Sequence, residues 1–137
     1  MEKTLTLKNN IAEVALLPEF IEGICETLGL AADRAFNLNL ALEEAVTNVI
    51  SYAFPDGGEH TFALHAQSGG SVLTFTLEDD GVPFDPTEAP DVDTTLSAEE
   101  RQIGGLGIFL IRQIMSSVSY EYTDGKNRLT MALQINE

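Results

Sequence analysis

The sequence predicts an α/β (α+β) two-layer sandwich, with a mixed, mostly antiparallel sheet of about five strands carrying three helices on one face. Three observations lead there. A period-two segment opens the chain, three separate stretches carry a helical period, and two pairs of strand-like segments are each joined by a turn rich in glycine or aspartate.

The first strand is read from Thr4-Leu5-Thr6-Leu7, where polar and apolar side chains alternate as they do on a half-buried strand. After Lys8-Asn9-Asn10 the period becomes helical through Ile21, Ile24, Cys25 and Leu28, and Gly29 closes that helix. Asp33 is the expected N-cap of the next helix, whose apolar stripe is Leu38, Leu42, Ala45, Val49 and Ala53, ending at Pro55-Asp56-Gly57-Gly58. A hairpin should follow, with strands His60 to Gln67 and Val72 to Asp79 around Ser68-Gly69-Gly70-Ser71. Residues 80–103 hold three prolines, many acids and no sustained period, so they read as a long loop, which in a compact domain tends to be functional. Gly104-Gly105-Leu106-Gly107 then opens a helix through Ile108, Ile111, Ile114 and Met115. Two closing strands, Val118 to Thr123 and Arg128 to Ile135, flank Asp124-Gly125-Lys126-Asn127. No linker or internal repeat divides the chain, so residues 1–137 are expected to form a single domain.

Composition narrows the function. With 44% apolar residues, 137 residues can bury one core without metal or disulfide staples. A net charge of −15 with 7 Lys+Arg repels nucleic acids and anionic lipid, and argues against a role at either. Most of the acids read equally well as a solvated surface. Cys25 is the one cysteine, and its apolar neighbours suggest a packed thiol in a reducing compartment. The start, Met1-Glu2-Lys3-Thr4, lacks the basic and apolar regions of a signal peptide, and no apolar run is long enough to cross a bilayer. A cytoplasmic protein is therefore expected. His60 and His65 have no partner motif and read as structural or surface residues.

Along the second helix, Asn37, Ala41, Glu44 and Asn48 fall on one stripe, expected roughly opposite the apolar one. Glu44 and Asn48, one turn apart, offer a carboxylate and a neutral amide oxygen, which suits Mg²⁺, and Glu44 is also placed to serve as a general base. Taken alone, the same pair fits the wet face of an amphipathic helix. Asp79, at a strand end just before Asp80-Gly81, is positioned to accept a hydrogen bond from an exocyclic amino group such as that of adenine. Gly104, Gly105, Leu106 and Gly107 would supply free N–H groups and a helix dipole to phosphate oxygens.

In this order, Glu44-Ala45-Val46-Thr47-Asn48, then Asp79-Asp80-Gly81-Val82-Pro83-Phe84-Asp85-Pro86, then Gly104-Gly105-Leu106-Gly107 resemble the Bergerat (GHKL) ATP-binding fold of gyrase, Hsp90, histidine kinases and MutL. Glu44 to Pro55 and Glu100 to Ile108 are similar, more narrowly, to the small bacterial anti-sigma-factor serine-protein kinases. That resemblance implies ATP and Mg²⁺ as cofactors, with Asn48 on the metal and Glu44 acting as, or positioning, the general base. It also implies Asp79 on adenine and Gly81 allowing close approach. Gly105 and Gly107 would anchor a lid and cradle phosphate, and Thr130 would support Asp79 through a water. Arg101, alone among basic residues in the loop, is the candidate for the terminal phosphate, with a solvated arginine as the alternative. Pro83 departs from the wider pattern, which often has glycine there. Phe84 is expected at the lid base.

The function so implied is an ATP-dependent serine-protein kinase and anti-sigma factor, which phosphorylates a small anti-sigma-antagonist protein and sequesters a sigma factor. A non-catalytic, nucleotide-gated binding module is the alternative. Glu44 favours the kinase, since nucleotide sensing alone needs no base. Homodimerisation through the first strand and helix is implied by resemblance only.

Overall fold

The computed structural model describes residues 1–88 and 103–135; side chains are described for residues 1–87 and 108–135. The elements run β1 (Glu2–Lys8), a 3-10 helix (Ile11–Leu16), α1 (Leu17–Leu28), α2 (Ala32–Tyr52), β2 (Thr61–Gly69), β3 (Val72–Asp79), a short 3-10 turn (Pro86–Glu88), α3 (Ile103–Ile114), β4 (Ser117–Thr123) and β5 (Lys126–Gln134). The 3-10 helix was not foreseen from periodicity. Its start is set by Asn10, whose side chain accepts a hydrogen bond from Ala12 N.

Gly29 ends α1 as expected: at φ 69° it adopts the left-handed conformation that glycine tolerates, and its N–H turns back to Cys25 and Glu26 carbonyls. The start of α2 differs from expectation. Ala31 occupies the cap position with no side-chain hydrogen bond, and Asp33 lies inside the first turn, where its charge complements the helix dipole instead of capping an N–H.

The sheet order is β1-β2-β3-β5-β4, and all four pairings are antiparallel, so the sheet is antiparallel throughout and not mixed. Each hairpin closes on a two-residue turn, tighter than the four-residue segments suggested. Gly69 pairs with Val72 and Thr123 with Lys126. Asp124 and Gly125 both have positive φ, the backbone that matches strand twist in such turns. The connection from β3 to β4 skips one position, which β5 then fills. In consequence the end of β3 and the start of β5 lie side by side, with Asp79 opposite Asn127.

Strand alternation puts Leu7, Phe62, Leu64, Ala66, Leu73, Phe75, Leu77, Leu129 and Met131 on one face, all buried. Onto them pack Ile21, Ile24, Leu38, Leu42, Ala45, Val49, Ile108 and Ile111 from the helices. The opposite face carries Thr6, Thr76, Thr130 and an ion-pair set in which Glu78 accepts from Arg128 at 2.8 Å and Glu121 accepts from the same guanidinium at 2.9 Å. The Arg128 guanidinium holds the Glu78 carboxyl below its usual range. Among the described residues no helix is long and apolar enough to cross a membrane.

Phe75 sits at the centre of the covered face with no exposure. Phe75→Ala is expected to remove about 3–5 kcal/mol of stability, read as a lower urea midpoint at unchanged m-value.

Candidate nucleotide site

The site begins where β3 ends. Asp79 is 5% exposed, and a carboxylate so placed must be compensated by hydrogen bonds. Its Oδ1 accepts from Gly81 N and from Asn127 Nδ2, both at 2.9 Å. Burial pushes the Asp79 carboxyl above its usual range, and these two donors oppose that shift. Asn127, 4% exposed, was not identified from the sequence, where it reads as part of a turn. It also donates to Val82 O at 2.8 Å, while its Oδ1 accepts from Phe84 N at 3.0 Å and from the Tyr120 hydroxyl.

The loop after Asp79 lies against the end of α2. Val82 N donates to Ala53 O at 2.9 Å, and the Phe84 ring stacks on Tyr52 with centroids 5.0 Å apart. Gly81 is required by contact: a Cβ there would come within 2.2 Å of Ala53 O.

Asn48 enters the same region from α2. Its stripe was expected roughly opposite the apolar one, yet Asn48 is 3% exposed and Ala41 fully buried. The reason is tertiary: α3 as well as α1 packs on α2, so Ala41 and Asn48 of the stripe are interior while Asn37 stays exposed and Glu44 half-buried. Neither amide atom of Asn48 has a hydrogen-bond partner. A buried amide left unpaired costs on the order of 1–3 kcal/mol. Asn48, Asp79, Phe84, Pro86, Tyr120 and Asn127 line one cavity of about 20 Å³, water-sized among the described residues.

Glu44 lies one turn before Asn48 and is partly buried; burial and, secondarily, the neighbouring Glu43 push its carboxyl above the usual range. An unpartnered buried amide oxygen beside a carboxylate fits a hard, oxygen-seeking cation such as Mg²⁺.

Gly104, Gly105, Leu106 and Gly107 do not precede α3 but form its first turns, since the helix begins at Ile103. The first four N–H groups of a helix lack intrahelical partners, which counted from Ile103 takes in Gly104, Gly105 and Leu106 but not Gly107. On the far side of residues 89–102, Arg112 of α3 donates to Thr87 O at 2.7 Å and Asp85 accepts from Thr87 N at 2.8 Å. Arg101 and most of the expected lid lie outside the described residues.

Thr130 is not part of the site. In the β3–β5 register it pairs with Thr76, whose side chain points to the open face, whereas Asp79 and Asn127 point to the helices. Asn127 makes the contact that was expected of Thr130. The histidines are structural: His60 stacks on Phe54 at 4.4 Å and meets Asp56 at 3.1 Å, and His65 contacts Thr4 Oγ1 at 3.0 Å. Cys25 is buried, and burial pushes its thiol up.

The family model of the histidine kinase-like ATPase domain matches residues 7–133. The chain belongs to that family. Among curated relatives of this ATPase-domain chain, "Serine/threonine-protein kinase BtrW" of Bordetella bronchiseptica is 33% identical over 74% of the chain and 71% of the relative. "Serine-protein kinase RsbW" of Listeria innocua is 31% identical over 98% of the chain and 87% of the relative. Among solved structures, the histidine kinase domain of the Erythrobacter litoralis EL346 blue-light activated histidine kinase superposes with a TM-score of 0.56 at 17% identity. It is similar over 89% of this chain and 60% of its own length, and that likeness concerns the fold.

For this ATPase-domain chain, Gly81→Ala is expected to push the loop off Ala53. The check is paired: a thermal shift showing lost stability, and adenine-nucleotide binding weakened by roughly tenfold or more.

Proposed function

We propose that the chain is an ATP-dependent regulatory serine-protein kinase that phosphorylates a small anti-sigma-antagonist protein and sequesters a sigma factor. The observation that carries this reading is Asn48: a fully desolvated amide without partners, opening on the same cavity as Asp79 and one turn from a carboxylate whose proton affinity is raised. The names of the curated relatives, serine-protein kinases in both genera, support it.

In this reading Asp79 accepts the adenine amino group, and Gly81 lets the base approach. Asn48 would hold Mg²⁺, which when bound would neutralise and orient the phosphates. The N–H groups of the first turn of α3, at Gly104, Gly105 and Leu106, would donate to phosphate oxygens, with Gly107 letting the helix start approach them, and Arg101 is the candidate cation for the terminal one. Glu44 takes the proton from the attacking serine hydroxyl. Phosphoryl transfer asks mainly for positioning and charge stabilisation, so this short set of groups suffices. A purely sensing module would need Asn48 and Asp79 but gains nothing from a partly buried Glu44, so the non-catalytic alternative is not favoured.

Glu44 must be ionised to accept a proton. With its carboxyl raised, transfer should climb with pH through a step above the ordinary carboxylate range and then level off. Two variants test the assignments. Asn48→Ala should abolish binding of Mg-ATP. Glu44→Gln should bind ATP near normally yet lose phosphotransfer by about 10²-fold or more and lose the pH step. The assay is incubation with γ-labelled Mg-ATP and source-cell lysate, wild type beside Glu44→Gln. A small protein labelled only by the wild type supports the kinase; equal labelling by both removes Glu44 from its role.

A further inference from the structure

The two oxygens of Asp79 have different surroundings. Both hydrogen bonds to Asp79 among the described residues end on Oδ1, from Gly81 N and Asn127 Nδ2. Among the described residues no hydrogen bond ends on Oδ2, which leaves it the oxygen open to a ligand. What fixes this division is the orientation of the Asn127 amide, and its neighbours settle that orientation chemically. Phe84 N can only donate, so the Asn127 atom 3.0 Å away must be the oxygen; Val82 O can only accept, so the atom 2.8 Å from it must be the nitrogen. Every hydrogen-bonding position of this amide is in use.

We propose that Asn127 is the positioning residue that sets purine choice: its locked amide donates to Asp79 Oδ1, keeps the carboxylate a pure acceptor toward the cavity, and so selects a 6-amino purine over a 6-oxo purine. The inference rests on the reading of the cavity as an ATP site and deepens it. A carboxylate accepts from the amino group of adenine but repels the carbonyl oxygen of guanine. A protonated carboxyl at the same place would donate to that carbonyl. Discrimination therefore depends on Asp79 remaining ionised where burial disfavours it.

The groups that face Asp79 bear this out. Glu78 and Asp80 of its own chain segment both push its carboxyl up, α2 presents the neutral Asn48, and β4 presents the Tyr120 hydroxyl. Among the described residues none of these groups is a cation; the N–H donors of Asn127 and Gly81 oppose protonation, and Asn127 contributes the more of the two. Tyr120 adds direction, since its hydroxyl shares Asn127 Oδ1 with Phe84 N. Loss of the Asn127 donor would let Asp79 take up a proton at a higher pH, which turns an acceptor into a donor.

The experiment measures dissociation constants for ATP and GTP by calorimetry from about pH 5.5 to about pH 8.5, for wild type, Asn127→Leu and Asn127→Asp. Wild type should prefer ATP by at least about tenfold. Asn127→Leu should lose that preference as pH falls, GTP gaining while ATP weakens. Asn127→Asp keeps the size of the side chain but sets two carboxylates together; such a pair shares one proton, so ATP binding should fall by about tenfold or more at high pH and return on acidification. Should Asn127→Leu not fold, by circular dichroism, Asn127→Asp decides. Wild-type preference and a flat profile in the variants would overturn the proposal while leaving the ATP site intact. An equal loss for both nucleotides with no pH dependence would also overturn it, as a merely structural effect. Wild-type protein that binds neither nucleotide would overturn the ATP site itself together with this inference.

Discussion

A buried carboxylate facing a buried amide across two strands is the constraint on which the site depends. Asp79 and Asn127 are directly opposite in the β3–β5 ladder, and their side chains point to the helix-covered face. An ionised carboxylate is costly to remove from water unless donors replace its hydration. Here one donor comes from the partner strand and one from the turn that follows, so ladder register, turn and charge compensation rest on one another. The same amide takes the N–H of Phe84 and holds Val82, which carries the loop from the strand end to the end of α2. Shifting β5 by one residue would turn Asn127 to the open face and leave Asp79 uncompensated.

The crossover through α3 is what makes that pairing possible. Because β4 is laid down one place away and β5 returns between, the last strand borders β3 in the middle of the sheet. The crossover also brings α3 alongside α2. Arg112 ties the body of α3 to Thr87. The end of β3, Asn48 of α2 and the start of β5 line one cavity, and a cavity between layers is a usual place for a ligand.

Much of this was legible from residues alone. Periodicity located the five strands and three helices, because one face of each is buried and the pattern of burial repeats with the element. Gly29 marked a helix end, and the turn residues Gly70, Asp124 and Gly125 marked reversals that need positive φ. Ordered motifs singled out Glu44, Asn48, Asp79 and Gly81 as candidates, and the family match over residues 7–133 agrees with the resemblance they carry. The errors share a cause. Asp33 was taken for a cap because capping depends on a backbone conformation that composition does not specify, and Ala31 adopted it. Thr130 was carried over by resemblance, while the pleat sends it to the open face. Asn127 went unnoticed because asparagine beside Asp-Gly is ordinary turn chemistry; only its register with Asp79 distinguishes it.

Taken by itself, the sequence determined what each element is and which residue types carry chemistry, because propensity, period and turn preference act over a few residues. The tertiary structure alone decided which face of α2 is interior, which side chain compensates Asp79, and which oxygen of that carboxylate its donors occupy. Those are relations between segments separated by tens of residues along the chain. They are set by the order of strands in the sheet and by the placement of α3, and a pattern read along one segment holds no information about what another segment brings against it.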